Sequence, residues 1–258
     1  MTAATLLERA RTGMRRLAEL PADVRPQTNE AAYACQAELV PQLLQQMGGT
    51  AIGYKIACTN EIAQRQLHVD GPFFGRLLAA TTLDSPARIQ ASQYFMRVME
   101  AEFAFRMARD LAPAASPRTR DEVADAVAGV LPGIEVVDSR FDSWTTVGTP
   151  SLIADNACHA AWIRGALVTD WRGIDLAAQK VRLVINGALI GEGSGAAVLG
   201  HPLNALHWLA NALNARGSGL CAGDYVTTGV TTDIYLASAG DRVLADFGSL
   251  GCVELAID

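Results

Sequence analysis

The sequence lacks the features that mark several large protein classes. Lys and Arg number 21 against 27 Asp and Glu, a net charge of −6, so there is no basic excess for binding nucleic acid. The five cysteines are odd in number and contain no Cys-x-x-Cys pair, which excludes a disulfide framework and a zinc ribbon. No apolar run approaches membrane-spanning length, and the N-terminus has no signal-like apolar core. We expect a cytoplasmic protein with a small-molecule partner, without nucleic acid or membrane.

Two common catalytic motifs are also missing. The segment Gly191–Ala196 fits a loose Gly-x-Gly-x-x-Ala pattern, but it follows a predicted hairpin and does not open a βαβ unit, so a tight turn beside a ligand or a bulge is favoured over a dinucleotide site. The histidines lack the His-Glu-x-x-His spacing of zinc proteases. They are His68, His159, His201 and His207. Each is interpreted as a surface or capping residue, although His201, just before a predicted helix, could face a site.

What the sequence does contain is a set of acids in apolar strands. Glu100 and Glu102 are separated by one residue within Met99–Phe105, and Glu135 interrupts a second apolar run. In a strand, the period of two puts Glu100 and Glu102 on one face. Buried ionised carboxylates must be protonated, paired with cations or bound to a metal. A solvent-facing strand is the alternative for Glu-x-Glu alone, but three acids favour a hard divalent ion, Mg²⁺ or Mn²⁺.

A lysine interrupts another apolar strand. Lys55 lies in the middle of Ala51–Cys58. Alone, it would be interpreted as a lysine whose stem covers the core while its charge reaches solvent. With three carboxylates in similar strands, we favour a catalytic acid/base whose pKa is lowered by burial and by metal charge and opposed by the acids.

The remaining patterns predict an α+β fold in one domain spanning residues 1–258, with an N-terminal helical portion over about 1–48. Helices are predicted over Thr5–Leu20, over Glu30–Gln46, from the capping box at Thr119 through Val130, and from Pro202 through Leu213. Pro132-Gly133 is predicted to separate the third helix from the Glu135 strand, and Asn186-Gly187 predicts a hairpin. Ser139–Asn156, rich in Thr, Ser, Gly and Asp, is predicted to be an active-site loop.

In this order, these pieces resemble the 2-keto-4-pentenoate hydratase and 4-oxalocrotonate decarboxylase group of the fumarylacetoacetate hydrolase superfamily. The matching segments span most of the chain and are specific in combination. They are Gly53–Ile56, Glu100–Phe105, Ile134–Arg140, Ala154–Ala157, Gly195–Gly200, Pro202–Asn204, Trp208–Asn211 and Gly223–Asp224.

The resemblance implies a mixed β-roll with peripheral helices, Mg²⁺ or Mn²⁺ on Glu100, Glu102 and Glu135, and a lysine acid/base at Lys55. It implies small 2-oxo or 2-hydroxydienoic acid substrates from aromatic-ring degradation. The leading hypothesis is hydration of a 2-hydroxypenta-2,4-dienoate-like acid. Decarboxylation of a 2-oxo-enedioate, hydrolysis of an acylpyruvate and a non-catalytic partner subunit are the alternatives. A homo-oligomer is expected, with association with another catabolic enzyme left open.

Two departures from the family pattern concern the substrate. Phe73 stands where the family commonly has an aspartate before an aromatic-Gly pair, and Asp70 lies nearby. Thr228–Thr231 replaces an expected Gly-Ser pairing. Asp70, Phe73, Asp155 and Thr231 are therefore the candidates for substrate contact. An apolar ring in place of an acid predicts a substrate with an apolar tail and no second carboxylate.

Overall fold

Two mixed β-sheets and six α-helices make up the protein, and the computed structural model describes residues 1–258. The helices are α1 Ala3–Thr12, α2 Asn29–Met47, α3 Glu61–Leu67, α4 Arg120–Ala124, α5 Thr149–Ala154 and α6 Pro202–Asn214. The strands are β1 Ala51–Ala57, β2 Phe73–Leu78, β3 Thr82–Asp84, β4 Ala87–Ile89, β5 Val98–Met107, β6 Val127–Val137, β7 His159–Arg164, β8 Lys180–Ile185, β9 Ala188–Ser194, β10 Tyr225–Val230, β11 Tyr235–Leu236, β12 Arg242–Asp246 and β13 Cys252–Ile257. No helix has both the length and the apolar composition of a membrane span.

The larger sheet has the strand order β2-β1-β10-β5-β6-β7-β3, with β11 also paired to β5. The smaller sheet has the order β4-β13-β12-β8-β9. Three strand pairs, β1/β10, β3/β7 and β4/β13, are parallel, and the others are antiparallel. The predicted α+β class with mixed sheets is confirmed.

The β5/β6 pair carries both the core and the candidate site on opposite faces. Phe103 and Phe105 are fully buried in a core cluster that contains residues from both sheets. Because side chains alternate along a strand, Glu100 and Glu102 project from the other face. In the antiparallel register, Glu100 lies directly opposite Glu135. The pairing of two apolar strands therefore brings three carboxylates together.

The prediction for the segment before Glu135 was partly wrong. The capping box at Thr119 and Glu122 is present, but its helix ends at Ala124. Val127 and Val130 begin β6, and Pro132-Gly133 lies inside that strand and does not precede it. Valine favours strands, and backbone pairing with β5 and β7 overrides the helical spacing of these residues.

At the N-terminus, α1 ends at Thr12 and does not extend to Leu20 as predicted. Met14 has a positive φ of 48°, and Leu17 exchanges backbone hydrogen bonds with Arg140 and Asp142, more than a hundred residues away in the chain. Local periodicity carries no sign of such a long-range pairing. The predictions for α2 and α6 are confirmed, and each end of both helices lies within one residue of the predicted position.

The hairpin prediction at Asn186-Gly187 is confirmed by the pairing of Ile185 with Ala188. Asn186 and Gly187 have φ values of 52° and 85°. Positive φ at both central residues is the requirement of a type I′ turn, which Asn-Gly meets well.

Candidate active site

Three carboxylates converge at the centre of the larger sheet. Glu100, Glu102 and Glu135 each offer a carboxylate oxygen, and these oxygens all lie within 4.8 Å of one another. Glu102 and Glu135 are fully buried, whereas Glu100 is partly exposed and lines a cavity. We call these three residues the acidic triad.

The triad has fewer hydrogen-bond donors than its oxygens require. The Gly229 backbone N–H donates to Oε2 of Glu102 at 2.7 Å, and Nδ1 of His159 lies 2.8 Å from Oε1 of Glu135. Of the remaining oxygens of these two residues, Oε1 of Glu102 is buried without a hydrogen-bond partner, and Oε2 of Glu135 is buried with only an ion-pair contact to Nζ of Lys55. Leaving a buried acceptor unsatisfied costs about 1–3 kcal/mol, and more for a charged group. Carboxylate oxygens in this arrangement suit the coordination of a hard divalent cation.

Charge repulsion and burial alter the pKa values of the triad. Burial raises the pKa of Glu100 to about 7, an effect that Lys55 opposes and Glu135 reinforces. Burial, together with the charges of Glu135 and Glu100, raises the pKa of Glu102 well above its usual value. Burial would also raise the pKa of Glu135, but Lys55 and His159 outweigh it and lower that pKa. Without a cation, the triad therefore retains protons that a divalent ion would displace.

Lys55 lies against this triad inside the protein. Its side chain is 2% exposed, its Nζ is 3.2 Å from Oε2 of Glu135, and it donates to the backbone oxygen of Ala157 at 3.0 Å. The charge does not extend to solvent. Burial alone would lower the pKa of Lys55, but Glu135, Glu100 and Glu102 outweigh burial and raise it. Lys55 therefore carries a proton at neutral pH in the metal-free protein, and the lowered pKa expected from burial together with metal charge stays a prediction for the metal-bound state.

The acceptor for Lys55 comes from a strained turn. Asn156, Ala157 and Cys158 all have positive φ, between 51° and 59°, a conformation that costs non-glycine residues about 1–3 kcal/mol each. The Asn156 side chain anchors the turn by accepting from the Arg76 N–H at 2.7 Å and donating to the Arg76 oxygen at 2.9 Å. The turn thereby holds the Ala157 oxygen towards Lys55.

A cavity of about 850 Å³ opens beside Lys55 and Glu100. One wall is apolar, formed by lining residues that pack in a single cluster. These are Ala57, Cys58, Ala63, Leu67, Phe73, Val137, Trp144, Leu152, Ala157 and Cys158. Charged residues also line the cavity, including Arg65, Lys180, Glu192 and Asp233. The volume and mixed lining suit a small acid with an apolar portion.

The candidates for substrate contact divide into two pairs. Phe73 and Thr231 line the cavity, and the Thr231 hydroxyl donates to the Ala101 oxygen at 2.7 Å. Asp70 is exposed and lies outside the cavity lining. Asp155 is fully buried away from the lining, where it pairs with Arg140 at 2.9 Å. The structure therefore brings Phe73 and Thr231 to the site, but not the two aspartates.

Three other sequence predictions concern the glycine-rich segment, His201 and the predicted active-site loop. Gly193 and Ser194 line the cavity, and a Cβ on Gly193 would lie 1.8 Å from the Thr231 oxygen. The glycine-rich segment therefore lies in close contact with the site, but Gly191–Ser194 is the end of β9, next to a β-bulge, and is not the expected tight turn. His201 caps α6, accepting from the Leu203 N–H at 3.0 Å. From the predicted active-site loop, Trp144 and Leu152 line the cavity.

Two polar residues at the site were missed from the sequence. His159, interpreted as a surface or capping residue, is fully buried and bonded to Glu135. The one available signal was its position at the start of an apolar run, His159–Ile163. Thr59 lines the cavity, and its buried hydroxyl has no hydrogen-bond partner. It lies two residues beyond the end of β1, the strand that contains Lys55, so its proximity to Lys55 in the sequence could have identified it.

Comparison with known proteins assigns the chain to a family. The sequence profile described as "Fumarylacetoacetate (FAA) hydrolase C-terminal" matches residues 57–257. The chain belongs to this family. Among members of the fumarylacetoacetate hydrolase family, it is 35% identical to a 2-keto-4-pentenoate hydratase of Burkholderia vietnamiensis, over 86% of this chain and 84% of that protein. It is 34% identical to a 2-hydroxyhexa-2,4-dienoate hydratase of Comamonas testosteroni, over 88% and 86%.

The fumarylacetoacetate hydrolase-type fold is supported independently by a solved structure. The 4-oxalocrotonate decarboxylase from Pseudomonas putida G7, in complex with magnesium and adipate, superposes with a TM-score of 0.90. The alignment covers 99% of this chain and 95% of that one, at 27% sequence identity. The family resemblance predicted from the sequence is confirmed.

Proposed function

We propose that the protein is a divalent-metal-dependent hydratase of 2-hydroxypenta-2,4-dienoate-like acids. The observation that carries the proposal is the acidic triad in contact with Lys55 at the edge of a cavity large enough for such an acid. Relatives that are 34–35% identical over most of the chain are hydratases of this substrate class. Together they favour hydration over the other reactions considered.

Glu100, Glu102 and Glu135 are the residues that would hold Mg²⁺ or Mn²⁺. The fit rests on the convergence of the three carboxylates, on the buried Oε1 of Glu102, which has no donor, and on the raised pKa values of Glu100 and Glu102. When bound, the ion would attract the substrate carboxylate and 2-oxygen and stabilise negative charge that develops on that oxygen.

The proposed reaction requires proton movement that Lys55 can perform. A proton leaves the 2-hydroxyl and another is added at C5, after which water supplies a hydroxyl to C4 and a proton to C3. The net change is the addition of one water molecule. Lys55 holds a proton on Nζ and has Glu135 and the Ala157 oxygen as fixed partners, so it can donate a proton and recover one without reorienting.

The apolar wall supports a preference for an apolar tail. Phe73 is 3% exposed and lines the cavity together with Leu67, Trp144 and Leu152. A tail buried against this wall gains on the order of 1–3 kcal/mol, and a carboxylate there loses its hydration.

Decarboxylation of a 2-oxo-enedioate is the second candidate. It requires the same stabilisation of negative charge on the 2-oxygen. Lys180 and Arg65 line the cavity and could attract a second carboxylate, and the solved decarboxylase shares the fold. Arg65 is paired with Glu61 at 3.2 Å and is strongly exposed, which weakens its attraction for a substrate.

An ultraviolet assay of the purified protein with Mg²⁺ separates these reactions. The panel consists of 2-hydroxypenta-2,4-dienoate, its methyl homologue, a 2-oxo-enedioate and an acylpyruvate. We expect loss of dienoate absorbance, fastest for the homologue with the longer apolar tail. Phe73→Asp should reverse the preference between tail and carboxylate, with Phe73→Leu as the matched control. Faster turnover of the enedioate by the wild-type protein would contradict both the hydratase assignment and the tail preference.

The proposal also retains the expectations of a homo-oligomer and of a cytoplasmic location. Light scattering on the purified protein tests the first, and a monomer at micromolar concentration would contradict it. Fractionation of the source cells tests the second.

A further inference from the structure

His159 is held in an unusual environment for a histidine. It is 1% exposed, and its Nδ1 lies 2.8 Å from Oε1 of Glu135. Its other ring nitrogen, Nε2, is buried without a hydrogen-bond partner. The imidazole therefore has a single polar contact, and that contact is a carboxylate of the acidic triad.

A β-bulge aims this side chain at Glu135. Val136 pairs with Ala161, but Val137 pairs with His159, so β7 has one extra residue, Ala160, at this point. In regular pairing, His159 would project from the opposite face of the sheet. The bulge shifts it to the face that Glu135 and Val137 share. Bulges of this kind commonly redirect a side chain near an active site.

The single contact also selects the state of the ring. The Glu135 carboxylate accepts, so Nδ1–H must donate. In the neutral ring Nε2 is then only an acceptor, whereas in the charged ring it would be a buried N–H without a partner. His159 therefore serves as a neutral donor to Oε1.

A buried arginine holds the backbone of His159 in place. Its oxygen accepts from Nη1 of Arg11 at 2.8 Å. Arg11 is itself buried beside Asp155, which pairs with Arg140 at 2.9 Å. Together with the strained turn that precedes it, this network prevents the start of β7 from shifting.

We infer that His159 is a positioning residue that fixes the orientation of the Glu135 carboxylate for metal binding. By holding Oε1, the imidazole leaves Oε2 directed at Lys55 and available to a cation. The inference rests on the metal site of the proposed function. Partners of this kind typically account for about 10- to 100-fold in metal affinity.

Isothermal titration of the full-length protein with Mn²⁺ tests the inference. His159→Leu removes the donor, whereas the amide of His159→Asn places an N–H near the position of Nδ1. We expect His159→Leu to weaken Mn²⁺ binding by about 10- to 100-fold and His159→Asn to restore near-wild-type affinity. His159→Met, a second donor-free variant, covers the case in which His159→Leu does not fold. His207→Leu removes a half-buried histidine bonded to the Arg118 oxygen and should retain wild-type affinity.

Wild-type affinity in the donor-free variants would overturn the inference. Equal weakening in His159→Asn and His159→Leu would also overturn it, since ring packing would then be the cause. A wild-type protein that binds no Mn²⁺ would overturn both this inference and the proposed metal site. The expected pattern of affinities in a protein that turns over no dienoate would support the inference and contradict only the proposed reaction.

Discussion

Removal of the carboxylate at Glu100 should change how the stability of the metal-free protein depends on pH. The pKa of Glu100 is raised from 4.5 to about 7 in the folded protein, so between these values the folded state holds a proton that the unfolded state has lost. Below pH 4.5 both states are protonated and there is no penalty. Between these values the penalty grows with pH, and it reaches its full size of about 3 kcal/mol above about pH 7, where the folded protein ionises this largely buried group.

Urea unfolding in EDTA at about pH 5 and pH 8 measures this effect. The wild type should lose about 2.5 kcal/mol more stability over that interval than Glu100→Gln, which does not titrate, since part of the penalty is already present at pH 5. Glu38→Gln, on the exposed side of α2, is the matched control and should follow the wild type. At pH 8, a divalent ion at about 100 times its dissociation constant should restore about 2.7 kcal/mol to the wild type. Parallel loss of stability in the wild type and Glu100→Gln would refute the reasoning.

Two further substitutions and one chemical-labelling experiment have defined outcomes. Lys55→Met should lower kcat for the dienoate by about 10²- to 10⁴-fold while retaining Mn²⁺ affinity, since it removes the proton carrier but no ligand; wild-type kcat would contradict the assigned role. Gly229→Ala should cost about 1–3 kcal/mol in urea unfolding, because φ is 97° and a Cβ would lie 2.0 Å from the Thr59 hydroxyl; unchanged stability would contradict this. Burial raises the pKa of Cys58 and Cys158 to about 12, so mass spectrometry should show iodoacetamide modifying the two exposed cysteines first at pH 8, and faster labelling of Cys58 or Cys158 would contradict it.

Features set by local periodicity were predictable from the sequence. The alternation around Glu100 and Glu102 identified the face on which they meet, and the interrupted apolar strand identified Lys55. Asn186-Gly187 has few conformations open to it other than a tight turn. In each case the residues that decide the structure lie within a few positions of one another.

Features set by contacts between distant segments were not predictable. His159 faces Glu135 because of one extra residue in β7, and a shift of one residue reverses every side chain of a strand. The first helix ends early because Leu17 pairs with a segment near Phe141. Asp155 matches a family segment, but its charge is neutralised by Arg140. The spacing of residues along a single sequence does not indicate which distant segments pair in this way.

The central claim is that the acidic triad binds one divalent cation. A crystal of the wild-type protein soaked in Mn²⁺, with diffraction measured on both sides of the manganese absorption edge, tests it most directly. The account predicts one strong anomalous peak in contact with carboxylate oxygens of Glu100, Glu102 and Glu135, absent in Glu102→Gln. A wild-type crystal without a peak there, or with Lys55 occupying the space among the carboxylates, would contradict it.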